Sequence, residues 1–265
     1  MKVLKKIVKL LKNRISYLKA YYELHTDYAI FKRQKKEVND TDFILGHMHP
    51  CLKDKLASSG TAKGAYFHQD LLVAQRIFHN KPQIHIDVGS RIDGFVAHVA
   101  SFREIKVFDI RPPENKVKNI SFFQLDLMNK IPEEMRESCD SLSCLHAIEH
   151  FGLGRYGDPI NFNGHLLGME NLYQLLKPGG TLYFSVPIGK LQQVKFHAKR
   201  IFSLRYLLKQ FHGKYKIKHF SFVNDEGYLF ENVDLTEENI NSGCNCKSGC
   251  GIFELEKIFS CNFNT

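Results

Sequence analysis

The chain has 265 residues, a formal net charge of +9 and 43% hydrophobic residues. That length allows one large or two small domains, and that hydrophobic content excludes wholesale disorder. No apolar run approaches the roughly 20 residues that a membrane-spanning helix needs. Seven cysteines do not make a disulfide scaffold at this length, and no secretory signal is visible, so we expect a cytoplasmic location with free thiols.

The positive charge is concentrated at one end of the chain. Residues 1–36 contain 11 Lys and Arg against 2 Asp and Glu, whereas the remaining residues contain 26 of each sign. Domains that bind nucleic acid carry basic character on the fold itself. The distribution therefore predicts no nucleic-acid partner.

We predict that residues 1–36 form a basic amphipathic helical arm. Apolar residues recur there at intervals of three and four, which puts them on one helix face. These residues are Leu4, Val8, Leu11, Ile15, Leu18 and Tyr22. Such a face suits either a protein surface or an anionic membrane, as a peripheral contact at the inner membrane face. A helical lead-in or lid is expected over 37–81, and the main domain over 82–265.

Strand patterns alternate with helix patterns through the main domain. Strands are predicted at 84–88, 105–109, 120–125, 141–145, 181–186, 216–223 and 251–257. Helices are predicted at 94–100, 166–176 and 201–211. The last two strands have no helical crossover between them, so we expect them to pair antiparallel. The alternation predicts an α/β, Rossmann-like, doubly wound and mostly parallel sheet, whose ligands bind beyond the carboxyl ends of the strands.

Candidate cofactor residues stand at three of those strand ends. Gly89 follows the first strand, and a glycine turn lets a ligand approach the backbone closely. No G-x-G-x-x-G pattern is present, so a pyrophosphate cradle is not predicted. Asp109 ends the second strand 22 residues after Asp87, a spacing that suits the ribose hydroxyls. Asp126 follows the third strand, where it can meet an adenine edge.

With Lys177–Gly180 before the fifth strand, these residues resemble the class I S-adenosylmethionine-dependent methyltransferases over about residues 82–190. The resemblance implies a seven-stranded sheet with an N-terminal helical extension and S-adenosylmethionine as cofactor. It places Asp87 near the methionine end of the cofactor, and Ser90 stands where a second glycine is usual.

Three further segments look like a family of unknown function, DUF268, found in bacteria and nematodes. The segments are Tyr66–Asp70, Leu145–Pro159 and Ser185–Gly189. Bacterial members of that family often occur with genes for surface polysaccharides. The resemblance therefore implies a sugar acceptor.

The residues that follow the fourth strand carry the candidate chemistry. Methyl transfer to a hydroxyl requires removal of its proton, and a histidine oriented by a carboxylate suits that task. His150 and His146 are the candidate bases, and Glu149 is the orienting carboxylate or a cofactor contact. The alternative for either histidine is a structural hydrogen bond.

No metal is favoured at this stretch. His-x-x-Glu-His matches a zinc-protease pattern, but the glycines that follow interrupt the long helix which that site needs. A divalent ion on Glu149, His150 and Asp158 would acidify an acceptor hydroxyl, and it remains a less favoured alternative.

The cysteines near the C-terminus form a second, less favoured metal site. Cys244, Cys246 and Cys250 are close enough in sequence to hold zinc together with Cys261 or a histidine. Their spacing is not the usual C-x-x-C pair. An ordinary turn with free thiols is the preferred interpretation.

Four residues are candidates for binding the acceptor: Arg155, Tyr156, His197 and Arg200. Cations of this kind grip an anionic sugar nucleotide or an acidic glycan. We therefore predict an S-adenosylmethionine-dependent O-methyltransferase of a sugar hydroxyl in capsule or O-antigen biosynthesis. The alternative is a non-catalytic protein of the same fold, tethered to a membrane or to assembly partners by its basic helix.

Overall fold

Helices and strands of the chain follow one another in the predicted order in a computed structural model, which describes residues 2–38 and 41–259. The helices are α1 (Lys2–Val38), α2 (Ala65–Asn80), α3 (Ala97–Ala100), α4 (Gly164–Leu175), α5 (Leu204–Phe211) and α6 (Glu237–Ser242). The strands are β1 (His85–Val88), β2 (Ile105–Asp109), β3 (Ile120–Gln124), β4 (Cys139–Leu145), β5 (Leu176–Ile188), β6 (Gln193–Lys195), β7 (Lys199–Ile201), β8 (Tyr215–Val223), β9 (Leu229–Phe230) and β10 (Gly249–Lys257).

Residues 1–61 and 62–265 form two compact units, which divide inside the segment predicted as a lead-in. In the first unit, α1 continues the predicted arm to Val38. The apolar stripe is exposed where its side chains are described, at Ile15, Leu18 and Tyr22. Its other members, Leu4, Val8 and Leu11, have side chains outside the described residues. No helix in the described part of the chain is long and apolar enough to cross a membrane.

We expect residues 62–265 to fold without the first unit. The described side chains of residues 14–61 include none that is buried, so the hydrophobic core lies in the second unit. Deletion of residues 1–61 should leave a single cooperative unfolding transition in urea with a sharp midpoint. A broad, gradual loss of helix signal in the truncated protein would show that the arm belongs to the core.

The second unit is built on an eight-stranded sheet with the order β3-β2-β1-β4-β5-β10-β8-β9. The first five strands of that order pair in parallel. β10 runs antiparallel to both of its neighbours, so the antiparallel pairing predicted for the two late strands is confirmed. The eighth strand, β9, adds two residues at the edge beyond the seven that were predicted.

Helices cover both faces of this sheet. α2 and α3 pack on one face through residues such as Leu72, Ile77 and Val99. α4 and α5 pack on the other through residues such as Leu172 and Leu207. The doubly wound arrangement is therefore confirmed, and the carboxyl ends of the parallel strands meet at one edge, where such folds bind ligands.

Two helix boundaries differ from the prediction for local reasons. The helix expected from residue 201 begins at Leu204, because Ser203 caps it by accepting a hydrogen bond from the Tyr206 amide at 3.3 Å. The helix expected from residue 94 is broken by Gly94 at φ −123° and ψ −115°, which leaves a π-turn at Ile92–Val96 followed by α3.

A buried polar network lies within the strands below the ligand-binding edge. The Nδ1 atom of His85 is 2.8 Å from Ser141 Oγ, and its Nε2 is 3.2 Å from Ser143 Oγ. Ser143 also donates to Asp87 at 2.5 Å. Burial lowers the pKa of His85 to about 3, and burial raises the pKa of Asp87 to about 6.

We expect the stability of the fold to decrease as the pH falls below the ordinary histidine value of 6.5. His85 is neutral when folded down to about pH 3, and burial lowers the pKa of His165 to about 4. Between those values and 6.5 both histidines take up protons only on unfolding, which favours the unfolded chain. Asp87 acts in the opposite sense, because it gains a proton in the folded state near pH 6.

Urea midpoints across this pH range test the balance. His85→Gln should reduce the slope of the unfolding free energy against pH by the equivalent of about one proton, or roughly 1.4 kcal/mol per pH unit. Asp87→Asn should make the same slope steeper. Parallel pH profiles for both variants and the wild type would contradict the assignment.

Candidate active site

A cleft opens over the carboxyl ends of β1–β4. One wall is apolar and consists of Phe108, Leu125, Leu127 and Met128. Six of the predicted site residues line the same cleft: Gly89, Asp109, Asp126, His146, His150 and Tyr156. Residues that are far apart in sequence therefore meet at the edge where the strand alternation predicted a ligand.

Gly89 forms the turn at the floor of the cleft. Its φ of +73° lies in the left-handed region, and a Cβ there would be 2.8 Å from the Ala147 Cβ. Its amide donates to the Phe108 carbonyl at 2.9 Å, which ties the turn to β2. Both the backbone conformation and the space require glycine at this position.

Asp87 supports this turn from below and does not line the cleft. It is fully buried and accepts hydrogen bonds from the amide of Ser90 at 3.0 Å and from its hydroxyl at 2.8 Å. Ser90 lines the wider part of the cleft. The structure therefore places Ser90 between Asp87 and the space where the methionine end of a cofactor was predicted.

Asp109 presents a carboxylate at the end of β2, where only 11% of its side chain is exposed. Arg111 holds both carboxylate oxygens, with Nε at 3.2 Å from Oδ1 and Nη2 at 3.0 Å from Oδ2. This fork fixes the orientation of the carboxylate. Arg111 was not among the predicted site residues, although its position two residues after Asp109 was a signal.

Asp126 lies beside the apolar wall. Its carboxylate accepts a hydrogen bond from the Met128 amide at 2.8 Å, so it closes its own turn in the manner of an Asx-turn. Asn129 Nδ2 lies 3.4 Å from its other oxygen. The turn holds Leu127 and Met128 against the cleft, where they can contact a flat apolar ring.

His146 and Glu149 form a buried pair at the centre of the site. His146 Nδ1 is 2.7 Å from Glu149 Oε1, and both side chains are at most 10% exposed. His146 Nε2 is buried and has no hydrogen-bond partner among the described residues. Burial opposes the charged imidazole, but Cys250 and the Glu149 carboxylate raise the pKa of His146 well above its ordinary value.

His150 has the opposite protonation preference. Its Nδ1 lies 2.7 Å from the Ala198 carbonyl oxygen, and a carbonyl can only accept, so Nδ1 carries the hydrogen and Nε2 the lone pair. Burial lowers the pKa of His150, which keeps the ring neutral at neutral pH. Nε2 is 3.7 Å from Glu149 Oε1. The pKa values of the two imidazoles are therefore shifted in opposite directions around a single carboxylate.

The loop that carries these groups is folded around Asp158. The carboxylate accepts hydrogen bonds from three backbone amides, those of Gly152 at 2.8 Å, Gly154 at 3.1 Å and Tyr156 at 3.1 Å. Gly152 has a φ of +75°, and a Cβ there would be 1.9 Å from the Asn161 carbonyl oxygen. Asp158 therefore acts as a loop organiser.

Arg200 is not at the surface of the cleft, in contrast to its predicted role in acceptor binding. It is buried, and it donates to the carbonyls of Phe151 at 2.6 Å and Phe162 at 3.0 Å. These bonds fix the loop after β4 near its start at Phe151 and near its end at Phe162. His197 is exposed at the tip between β6 and β7 and does not line the cleft either. Sequence position alone did not show which cations face inward.

Arg155 and Tyr156, the other two candidates for acceptor binding, stand at the mouth of the cleft. The Arg111 guanidinium lies 4.1 Å from the centre of the Tyr156 ring, and the Arg155 guanidinium lies 5.1 Å from it. His150 contacts the same ring edge-on at 5.3 Å. The mouth is therefore an aromatic ring with two cations beside it.

A recess on the other side of the Gly89 turn adds residues from α2. Tyr66, Asp70 and Ser90 line it. Burial raises the pKa of Asp70, whose carboxylate accepts a hydrogen bond from Gln69 at 2.9 Å. The sequence predicted a lead-in or lid over this segment, and the structure places an acid of α2 beside the turn.

Neither of the two less favoured metal sites has a set of ligands among the described residues. Among the described residues, no group of three or more His, Cys, Asp or Glu side chains could hold a metal ion. Cys250 points its thiol at Gln69, and Cys246 points its thiol at the Cys244 carbonyl. Cys261, a proposed fourth zinc ligand, lies outside the described residues.

Solved structures with similar folds include several methyltransferases and also the [4+2]-cyclase SpnF. The N-methyltransferase NodS from Bradyrhizobium japonicum WM9 matches with a TM-score of 0.50 and 10% identity, covering 75% of this chain and 100% of that chain. Its complex with S-adenosyl-L-homocysteine matches with a TM-score of 0.48 and 10% identity, covering 91% of this chain and 98% of that one. An S-adenosylmethionine-dependent methyltransferase from Clostridium acetobutylicum ATCC 824 has a TM-score of 0.49 and 11% identity, covering 75% and 94%.

A family model matches the chain directly. Residues 99–247 match the model described as "Caenorhabditis protein of unknown function, DUF268". None of the curated proteins matches the chain. The matched residues make up more than half of the chain and include His146, His150, Asp158 and the turn between β6 and β7. The chain therefore belongs to the DUF268 family, and it has the Rossmann-like fold of the class I methyltransferases.

Proposed function

We propose that the chain is an S-adenosylmethionine-dependent O-methyltransferase. One observation carries the proposal. At the strand ends, the cleft brings together the Gly89 turn, the Asp109 carboxylate and two imidazoles whose pKa values are shifted in opposite directions, those of His146 and His150. Fold alone does not assign chemistry, because one fold supports many activities. The groups that line the cleft are therefore what support the assignment.

The donors present fit the parts of S-adenosylmethionine. Asp109 offers the charge-assisted acceptor that two ribose hydroxyls need. Phe108 and Leu127 offer flat apolar contact to the adenine. Asp70, beside the Gly89 turn, offers a carboxylate to the methionine ammonium. When bound, this cofactor supplies an electrophilic methyl group on a sulfonium.

Of the two imidazoles, we assign the base to His150. Its Nδ1 hydrogen is donated to Ala198, so its Nε2 is free to accept a proton from a hydroxyl. His146 lies against Glu149, and Cys250 and Glu149 raise the pKa of its ring, so we infer that its unpaired Nε2 is a donor that orients an acceptor oxygen. Glu149 balances the charge of whichever ring is protonated.

We infer that the acceptor is a hydroxyl of a sugar nucleotide or of an acidic glycan. The aromatic ring of Tyr156 and the guanidinium groups of Arg155 and Arg111 at the mouth support this choice, because sugars pack on aromatic rings and phosphates or carboxylates pair with guanidinium. A role in surface-polysaccharide synthesis at the cytoplasmic side of the membrane rests on the family resemblance.

Calorimetry with S-adenosylmethionine and S-adenosylhomocysteine is the first test. Saturable binding is expected, followed by transfer of labelled methyl to a sugar nucleotide in a panel of candidate acceptors. Absence of heat at millimolar cofactor would end the proposal. Binding without transfer to any sugar would instead favour the non-catalytic protein of the same fold.

A further inference from the structure

A hairpin beside the cleft carries apolar side chains that the described chain does not cover. β6 and β7 form a separate two-stranded sheet, and every residue of β6 is exposed. Leu191 is 70% exposed and Phe196 67%, with Val194 half exposed between them. Single apolar residues on a surface are ordinary, but three within a six-residue span mark an interaction site.

A second apolar segment lies next to the hairpin. Ile160 and Phe162, in the loop after Asp158, are 66% and 78% exposed. Arg200 on β7 joins the two segments, because its guanidinium donates to the Phe162 carbonyl at 3.0 Å. The hairpin and this loop therefore form one surface, here called the apolar rim, defined by residues 159–163 and 190–199.

Charge identifies the kind of partner. Residues 190–199 contain three lysines and no Asp or Glu, and residues 159–163 contain no charge. Lys190 and Lys195 are exposed, and neither forms an ion pair with a carboxylate of the described chain. Exposed Phe and Leu with neighbouring Lys are typical of segments that lie in the interface of an anionic bilayer.

We propose that the apolar rim is a membrane-docking surface, which places its apolar side chains among the headgroups of an anionic bilayer. The hairpin tip is bonded to the cleft, because the Ala198 carbonyl accepts from His150 Nδ1 at 2.7 Å and from Arg155 Nη1 at 3.0 Å. Docking therefore brings the mouth of the cleft to the lipid surface. This contact is separate from any contact of residues 1–36, and it does not depend on the proposed function.

The absence of tryptophan from the chain permits a direct test. Phe196→Trp in the full chain creates a single tryptophan at the hairpin tip. Its emission should shift to shorter wavelength with vesicles of phosphatidylcholine and phosphatidylglycerol, and lipids brominated on their acyl chains should quench it. Phosphatidylcholine alone should give a much smaller shift, because the lysines find no net negative charge there.

Two matched variants separate the rim from the rest of the chain. Phe78→Trp places the probe on α2, at a side chain that is also more than half exposed, and its emission should not change with vesicles. Leu191→Ser combined with Phe196→Ser should weaken vesicle co-sedimentation by about tenfold or more, since two apolar contacts are lost. Phe78→Ser should leave co-sedimentation unchanged.

Two results would overturn the proposal. Co-sedimentation of the wild type with unchanged Phe196→Trp emission would mean that another part of the chain, such as the basic arm, makes the lipid contact. If the wild type did not co-sediment with anionic vesicles at low salt, the apolar rim would not be a lipid-binding surface, and a protein partner would be favoured. Thermal melts of each variant check that the fold is intact.

Discussion

Replacement of His150 by Asn should lower methyl transfer by about 10²–10⁴-fold and leave cofactor affinity nearly unchanged, because a general base acts only on the reacting proton. The asparagine side chain can still donate to the Ala198 carbonyl, which keeps the hairpin contact. Turnover and calorimetry on the same preparations measure the two effects.

The pH profile distinguishes His150 from His146 as the base. Burial lowers the pKa of His150, so wild-type activity should decrease only below the ordinary histidine value of 6.5. If His146 were the base, activity should appear only at pH values well above 6.5, because the pKa of His146 is raised. His146→Asn is the paired control, and it should weaken acceptor binding but keep an acid limb, moved to higher pH because His146 contributes to the lowered pKa of His150. Full activity of both variants would shift the role to Glu149.

Asp109→Ala should weaken S-adenosylmethionine binding by about 10²–10⁴-fold, since each charge-assisted hydrogen bond contributes roughly 1.5–3 kcal/mol and the ribose offers two hydroxyls. Asp109→Asn keeps the shape and removes the charge, so it should have an intermediate effect. Both are measured by calorimetry.

Arg111→Ala separates binding from positioning. Asp109 keeps its carboxylate in this variant but loses the fork that orients it, so a smaller loss of cofactor affinity is expected. The loss should be accompanied by weaker acceptor binding, because Tyr156 loses its neighbouring cation. Wild-type affinity in Asp109→Ala would show that the ribose lies elsewhere.

The sheet was predictable because each element has a local signal. Apolar runs that end at Gly89 or Asp109 follow the strand period, and the missing crossover between the late strands predicted their antiparallel pairing. The turn at Gly89 was also predictable from a local signal, a glycine directly after an apolar run. The left-handed backbone conformation at that position favours glycine.

The roles of the charged side chains were less predictable, because they depend on which way each one turns in space. Arg200 and Arg155 are both arginines near the cleft, yet one is buried on backbone carbonyls and the other stands at the mouth. The contact between Arg111 and the Tyr156 ring forms only because the end of β2 and the loop after β4 meet in the fold. No spacing in the sequence contains that information.

The self-contained construction of the loop after β4 has a consequence for how acceptor preference can change. Asp158 and Gly152 close the loop on itself, and Arg200 fixes it to β7. At its mouth, Tyr156 presents its ring, and Arg155 presents a guanidinium that also donates to the Ala198 carbonyl of the hairpin tip. Substitutions at Tyr156 therefore exchange the surface that an acceptor meets and leave the backbone bonds of the loop in place, whereas substitutions at Arg155 also remove the bond to Ala198. Under the proposed function, a small library at Tyr156 is a route to variants with a different acceptor preference, and divergence among natural relatives can follow the same route.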